Sequence, residues 1–293
     1  MFFGMTLYQV LWFFMIYALV GWMIEVSYHA ITLGKVINRG FLNGPLCPVY
    51  GCGVIMVLMV LFTVGQTFGV ETDLKKASSI LLFVIGIIFA TLIELIAGFL
   101  LDKLFHARWW DYSDRKFNLN GYICLEFSII WGLAIAFVLR VVQPTFAGIV
   151  DAIPHKLGII LIIICYVIFV ADIVVTVLTV LKLNKELAKM EEIQNSILRI
   201  SDELSEVIGN GTLNVMNKIE TERETRRAEY EAKRAEYEAK RAELREKYDH
   251  MKKQVMYNRL FGTGRLVAAF PNIKHRRYQK QLENLRTEQS QTA

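Results

Sequence analysis

Five apolar runs, each about as long as the 20 residues a helix needs to cross a bilayer core, constrain this chain more than any other feature. They cover roughly residues 6–28, 49–68, 78–101, 122–142 and 157–181. Inside hydrocarbon every backbone N–H and C=O must be satisfied within the spanning segment, which a helix achieves by itself. The expected fold class is therefore all-α: a polytopic bundle of five membrane helices over residues 1–181, followed by a long helical or coiled-coil tail over residues 182–293. Charge divides at the same place. Residues 1–181 hold 10 Lys and Arg against 10 Asp and Glu, and the tail holds 23 against 18, so the tail carries the whole net charge of +5. A mild, mixed surplus suits the lipid bilayer surface and argues against nucleic acid as a partner.

Loop charge predicts the orientation. Lys35 and Arg39 lie in the first loop (29–48), and Lys103, Arg108, Arg115 and Lys116 in the third (102–121). In the second loop (69–77) Lys75 and Lys76 are balanced by Glu71 and Asp73, and the fourth (143–156) has only Lys156, with Arg140 able to snorkel outward. Excess Lys and Arg mark the cytoplasmic side, which places the N terminus outside and loops one, three and the tail inside. The first run is too long for a signal-peptide core and reads as a signal anchor. Cys47, Cys52, Cys124 and Cys165 all fall in or beside apolar segments, which does not suggest a secreted disulfide framework. No paired Cys spacing, Walker sequence, nucleophile elbow or zincin helix is present, so neither a metal, a cofactor nor an ATPase or hydrolase activity is expected of this chain. The enzyme reading that stays open is a membrane enzyme acting on lipid headgroups with Arg39, Arg108 and the carboxylates.

Between the first two spans, Asn38 to Gly51 reads NRGFLNGPLCPVYG. Gly40, Gly44, Pro45, Pro48 and Gly51 at this density specify backbone geometry, and they hold Asn38, Arg39 and Asn43 where the chain leaves lipid. Part of the pattern recurs: residues 42–47 read LNGPLC and residues 119–124 read LNGYIC, so Asn120 and Gly121 repeat Asn43 and Gly44 at an offset of 77. Each copy precedes a span, and each preceding helix carries a carboxylate, Glu25 and Glu94. The two copies read as parallel repeats with a shared polar site near their pseudo-axis, or as two ordinary Asn-Gly turns.

Ionisable residues in membrane helices are costly and usually face protein or water. Glu94 lies on one face with Gly86, Ala90 and Gly98, and small residues line helix contacts in lipid, so it points into the bundle. Glu25 shares a face with Ala18 and Gly21 but sits about one turn from the boundary, within reach of headgroups. Asp172 heads a polar stripe with Cys165, Thr176 and Thr179, and Glu126 reads as an N-terminal helix charge. In the third loop Arg108, Trp110, Asp111 and Tyr112 crowd opposite Arg39, forming a site for an anionic headgroup or solute, a relay for a coupled ion, or an ion-paired seal. Trp109 and Trp110 equally fit an interfacial aromatic belt.

In the tail, Leu183, Leu187, Met190, Ile193, Ile197, Ile200 and Leu204 follow heptad spacing to about Ile208, where Gly209-Asn210-Gly211 is expected to break the helix. Residues 227–247 repeat every seven as RAEYEAK, RAEYEAK, RAELREK, with an alanine seam at Ala228, Ala232, Ala235, Ala239 and Ala242. Such a helix stands alone in solvent or pairs into a homo-oligomer. The final stretch, Leu260 to Lys280, mixes apolar and basic residues around Pro271 and lies on the membrane or docks under the bundle.

The segments GWMIEV (21–26), NRGFLNGPLCPVYG (38–51), FHARWWDYS (105–113), FNLNGYICL (117–125) and RLVAAFPN (265–272) resemble a bacterial membrane family known as ABC-transporter type IV permeases. The resemblance covers about 6–156 and the final basic segment. It implies a plasma-membrane permease subunit that works with a separate ATPase subunit, and it assigns no binding residues. Sequence and resemblance together point to a transporter-type membrane subunit with a cytoplasm-facing polar site. The other reading is a non-transport scaffold or sensor that recruits partners through its helical tail.

Overall fold

The computed structural model describes residues 4–34, 36–68, 74, 76–216, 220–257 and 262–287. The expectations for Lys35, Glu71, Asp73, Lys75 and Leu260 lie outside the described residues. The chain begins with α1 (Leu7–Leu33), capped by a reciprocal Thr6–Gln9 capping box, and continues with α2 (Pro48–Phe68) and α3 (Ser79–Phe105). Two-residue strands β1 (Ala107–Arg108), β2 (Asn118–Leu119) and β3 (Ile123–Cys124) fold the third loop before α4 (Leu125–Phe137). A single π-helical turn, Val138–Val142, leads into α5 (Gln143–Ala152). Then come α6 (His155–Met216), α7 (Glu220–Tyr257), α8 (Thr263–Ala269), β4 (Lys274–His275) and α9 (Gln279–Thr287). Five helical segments, over Leu7–Thr32, Pro48–Gly65, Ser79–Phe105, Leu125–Ala152 and His155–Ile208, are long and apolar enough to cross a membrane. The all-helical, multi-pass membrane architecture is the one the apolar runs predict.

Four boundaries differ from expectation, each for a physical reason. Residues 122–124 belong to the loop and β3, and the fourth span instead continues through α5 to Ala152, where an aqueous loop from 143 was expected. Pro144 stands in the first turn of α5 and cannot donate a backbone hydrogen bond; the π turn just before it shifts the ladder and lets the helix resume. Gly209-Asn210-Gly211 does not end the tail helix, since α6 runs on to Met216. An isolated glycine costs a helix only about 1 kcal/mol, too little to stop so long a segment. Finally, Gly51 is not a turn residue but lies inside α2, and Pro48 opens that helix.

The chain divides into two compact units, Met1–Val180 with Arg265–Arg277, and Leu181–Gly264 with Tyr278–Ala293. In the first unit, α1 packs on α2 and α3 on α4 through small residues. A Cβ on Gly21 would stand 2.3 Å from the Tyr50 ring, and one on Gly132 would stand 2.4 Å from Ile87, so glycine is what permits these approaches. Phe13, Tyr17, Val57, Leu58, Leu61, Leu82, Ile85 and Leu139 fill the core where the two helix pairs meet. In the second unit, the buried row Leu183, Leu187, Met190, Ile193, Ile200 and Leu204 confirms the heptad face of α6. On α7, Ala228, Ala232, Ala235, Ala239 and Ala242 are exposed in the single chain. The inward row is instead Tyr237, Arg241, Leu244, Tyr248, Met251 and Val255, which alternates steps of four and three. Tyr, Leu, Met and Val remove more apolar area from water than Ala, so they win the inward face. Hydrogen bonds from Gln281 to Gln194 and from Asn284 to the Tyr248 hydroxyl tie α9 to α6 and α7.

Candidate functional site

The first and third loops lie at the same end of the bundle, where the Phe41 and Trp109 rings meet edge to face with centroids 5.0 Å apart. Beneath them, the two carboxylates of α1 and α3 are held by neutral donors. The Tyr50 hydroxyl donates to Glu25 Oε1 at 2.6 Å, with His29 Nε2 3.6 Å from the other oxygen. The Tyr112 hydroxyl donates to Glu94 Oε1 at 3.0 Å, and Trp131 Nε1 to Oε2 at 3.1 Å. The two halves join through Tyr50 and Trp131, whose ring centroids are 5.6 Å apart, and Tyr112 stacks on Phe127. Burial, then the nearby Glu94 and Glu25 carboxylates, push the Tyr112 hydroxyl well above its ordinary range. Burial and Glu25 likewise push the Cys47 thiol up to about 12. Glu25, Glu94 and Tyr112 thus come together, and Tyr50 and Trp131, which were not singled out from sequence, complete the cluster. Both are aromatic residues of apolar spans, and nothing in their spacing separates them from ordinary lipid-facing or core aromatics.

The first Leu-Asn-Gly turn has a different partner. Asp172 Oδ1 accepts from the Asn43 backbone N–H at 3.0 Å and its side-chain amide at 3.1 Å, and Oδ2 accepts from the Gly44 N–H at 2.7 Å. Thr176 bonds both Asp172 and Asn43. Two successive backbone N–H groups aimed at one carboxylate make an anion nest. Asn38 staples the same loop: its Oδ1 accepts from Trp22 Nε1 at 2.8 Å and its amide donates to the Asn43 carbonyl at 2.6 Å. Arg39 lies with its guanidinium 5.5 Å from the Phe270 ring centroid. Burial lowers its pKa, opposed by Glu25, though an arginine stays protonated. Pro45 lies in this loop beside Gly44, and Gly40 is buried against Trp22.

The second turn is built from its own loop. Asn120 and Gly121 both adopt left-handed backbone, with φ of 50° and 74°. Gly121 N–H donates to Asn118 Oδ1, its carbonyl accepts from the Tyr112 N–H at 2.8 Å, and Arg108 Nη1 donates to the Asn120 carbonyl at 2.9 Å. Asp111 accepts from the Ser113 backbone N–H and hydroxyl, and Trp110 Nε1 donates to the Tyr122 carbonyl. The Asn120 side chain is exposed, as is Glu126, which pairs with Arg115 at 3.2 Å in the first turn of α4. Arg108 and Arg39 are therefore employed separately, Arg108 on this turn and Arg39 over Phe270.

Arg108 also donates from Nε to Asp102, a wholly buried carboxylate on α3 that further accepts from the Tyr122 hydroxyl at 2.6 Å and from Arg276 at 2.7 and 2.6 Å. Asp102 continues the face of Gly86, Ala90, Glu94 and Gly98 by one more step of four, and that extension was the available signal. Arg276 belongs to the returning segment 265–277, which docks on the bundle. Arg265, 3% exposed, donates from Nη1 to the Gly40 carbonyl and from Nη2 to the Phe41 carbonyl, both at 2.9 Å. Burial lowers its pKa to about 10, opposed by Asp172. Phe270 packs on Trp109 with centroids 4.8 Å apart, and β4 pairs antiparallel with β1, Ala107 opposite His275 and Arg108 opposite Lys274. Lys274 Nζ lies 2.6 Å from Asp111 Oδ2. Burial works to raise the Asp111 pKa, but hydrogen bonds from Lys274 and Ser113 outweigh it and hold the carboxyl below its usual range.

Among the described residues, no group of three or more His, Cys, Asp or Glu side chains is arranged to hold a metal ion. No curated protein and no solved structure matches the chain. Residues 12–177, more than half its length and reaching from within the first membrane helix to within the fifth, match the family model described as "Putative ABC-transporter type IV", and the chain belongs to that family of transporter-type membrane components.

Proposed function

We propose that this protein is the membrane subunit of a transporter, with its polar site between the two helix pairs at the end carrying loops one and three. The single observation that supports this reading most is the convergence of Glu25 and Glu94. Two carboxylates from different helix pairs sit under one pair of loops, Glu94 bonded by the Tyr112 and Trp131 donors and Glu25 by Tyr50, with His29 beside its other oxygen and no Lys or Arg in hydrogen-bond contact with either among the described residues. A carboxylate held by neutral donors keeps its charge available to a solute or coupled ion, whereas a closed ion pair does not. The excess of Lys and Arg in these loops supports the reading that this end faces the cytoplasm. An ATPase subunit would supply the energy, since this chain carries no nucleotide-binding sequence of its own. The substrate-contact set is Glu25, Glu94 and Tyr112 with Tyr50 and Trp131. Asn38, Asn43, Arg108, Asp111 and Asp172 shape the loops.

The test is reconstitution in nanodiscs with a candidate ATPase subunit. Transport-coupled function predicts that Glu94→Gln and Glu25→Gln change the rate of ATP hydrolysis by the complex. Removal of residues 227–247, three whole heptads, would leave that rate near wild type. The opposite pattern, with the deletion abolishing activity and Glu94→Gln silent, belongs to a sensor or scaffold that works through its helical unit. One observation favours that second reading: α6 is continuous from the fifth span, bearing Asp172, into the second unit.

A further inference from the structure

Both ends of the 181–264 excursion grip the same short turn. On the outgoing side Asp172 of α6 holds the N–H groups of Asn43 and Gly44, and on the returning side Arg265 holds the carbonyls of Gly40 and Phe41. We propose that residues 265–277 are a detachable strap over the Asn38–Cys47 loop, so that the shape of this loop, and access to the cluster beneath it, depends on the state of the 181–264 excursion. The proposal rests on the strap's own contacts and stands whether or not the protein moves a solute.

Three features make the strap releasable and not simply another part of the bundle. Each bundle carboxylate that it touches keeps a resident partner when it leaves: Asp102 retains Arg108 and the Tyr122 hydroxyl, and Asp111 retains Ser113 and Arg108. Release therefore orphans no buried charge, the usual penalty for breaking a buried ion pair. The outer anchors are open to solvent on the strap side only: the Lys274 and Arg276 side chains are 54% and 51% accessible, against 7% and 0% for Asp111 and Asp102, so on release the strap cations hydrate while the carboxylates fall back on their resident partners. The ladder between β1 and β4 is two residues long, which is marginal as a sheet. What the strap covers is specific. Its apolar part, Val267 and Phe270, is buried, and Phe270 seals Trp109 and Arg39. Its departure would free the Gly40 and Phe41 carbonyls while Asp172 still holds the next two residues, letting the loop hinge around Leu42.

Hydrogen exchange by mass spectrometry on the full chain in nanodiscs, paired with N-ethylmaleimide labelling of Cys47, tests this. Lys274→Gln should speed exchange of residues 265–277 and of 38–46 by the same factor and raise Cys47 labelling several-fold, with α2 and α3 unchanged. A disulfide between the register partners in the Ala107→Cys, His275→Cys variant should slow both segments, and reductant should reverse it. The proposal is overturned if residues 265–277 exchange as slowly as the membrane helices in wild type and in Lys274→Gln alike. It is also overturned if the strap loosens while 38–46 and Cys47 keep wild-type behaviour, or if α3 and α4 lose protection along with the strap.

Discussion

The two Leu-Asn-Gly turns share three residues and a following cysteine three positions after the asparagine's neighbour, yet they are held in opposite ways. The second is a local object. Asn118, Arg108 and Tyr112, each within twelve residues of the group it bonds, satisfy its backbone, and left-handed Asn120 and Gly121 shape it. The first keeps φ negative at Asn43 and Gly44 and depends on Asp172 and Arg265, 128 and more residues away. In both, a Cβ on the glycine would press on an aspartate, 2.9 Å from Asp172 at Gly44 and 2.3 Å from Asp111 at Gly121. A shared motif thus fixes a need, a glycine beside a carboxylate, without fixing the turn that meets it. The local turn is free-standing, while the remote one reports on whatever moves its distant partners.

Four measurements would break or sharpen that contrast. Asp102→Asn should have the largest effect, because it leaves two arginines facing a neutral amide; a loss of about 4 kcal/mol, the scale for breaking a buried charge pair, is expected in unfolding experiments. Its exchange signature should appear in 106–124 and 265–277 and spare 38–46 beyond what strap release explains. Asp172→Ala should cost about 3 kcal/mol by orphaning the Asn43 and Gly44 N–H groups, and should loosen 38–46 while leaving 106–124 at wild-type protection. Equal loosening of both loops would end the distinction between local and remote turns. Gly121→Ala should cost roughly 2 kcal/mol from left-handed backbone strain together with the Asp111 clash, and Gly44→Ala less, since there the backbone is unstrained. The reverse order, read from thermal unfolding, would contradict the φ assignment.

Acid provides the gentlest probe. Burial, followed by the neighbouring His106, pushes the pKa of His275 down to about 4. A histidine free in an unfolded segment titrates near 6.5, so between those values the released strap binds a proton that the docked strap does not. Docking is therefore at full strength above pH of about 6.5 and weakens as pH falls toward 4. Asp111, depressed below its usual range, acts in the same direction at lower pH, because its docked form also resists protonation. The protection factor of 265–277, taken relative to the intrinsic rate at each pH, should fall on acidification, while that of 109–124, held by its own loop, changes less. A strap that tightens in acid would exclude this origin.

Much of the fold was legible because its causes are local. Apolar runs of membrane length specify helices wherever they occur, and the i, i+4 row through Gly86, Ala90 and Glu94 gave the inward face of α3. The candidate residues were legible as residue types but not as groups. Arg108 and Arg39 look alike as loop cations, and only their neighbours separate one bonded to Asp102 from one laid over Phe270. The exposed alanines of α7 show the same limit: two heptad rows are present, and the larger side chains take the inward one.

What the sequence determines here follows from short-range physics: five membrane helices, two polar loops between them, carboxylates turned inward, and a heptad-bearing second unit. What only the tertiary structure decides are the pairings across long separations. Asp172 on the Asn43–Gly44 nest, Arg265 on the Gly40 and Phe41 carbonyls and Arg276 on Asp102 each join residues more than 120 positions apart. No periodicity encodes them, because a hydrogen bond's partner is set by where the packed helices bring two groups together, not by their distance along the chain.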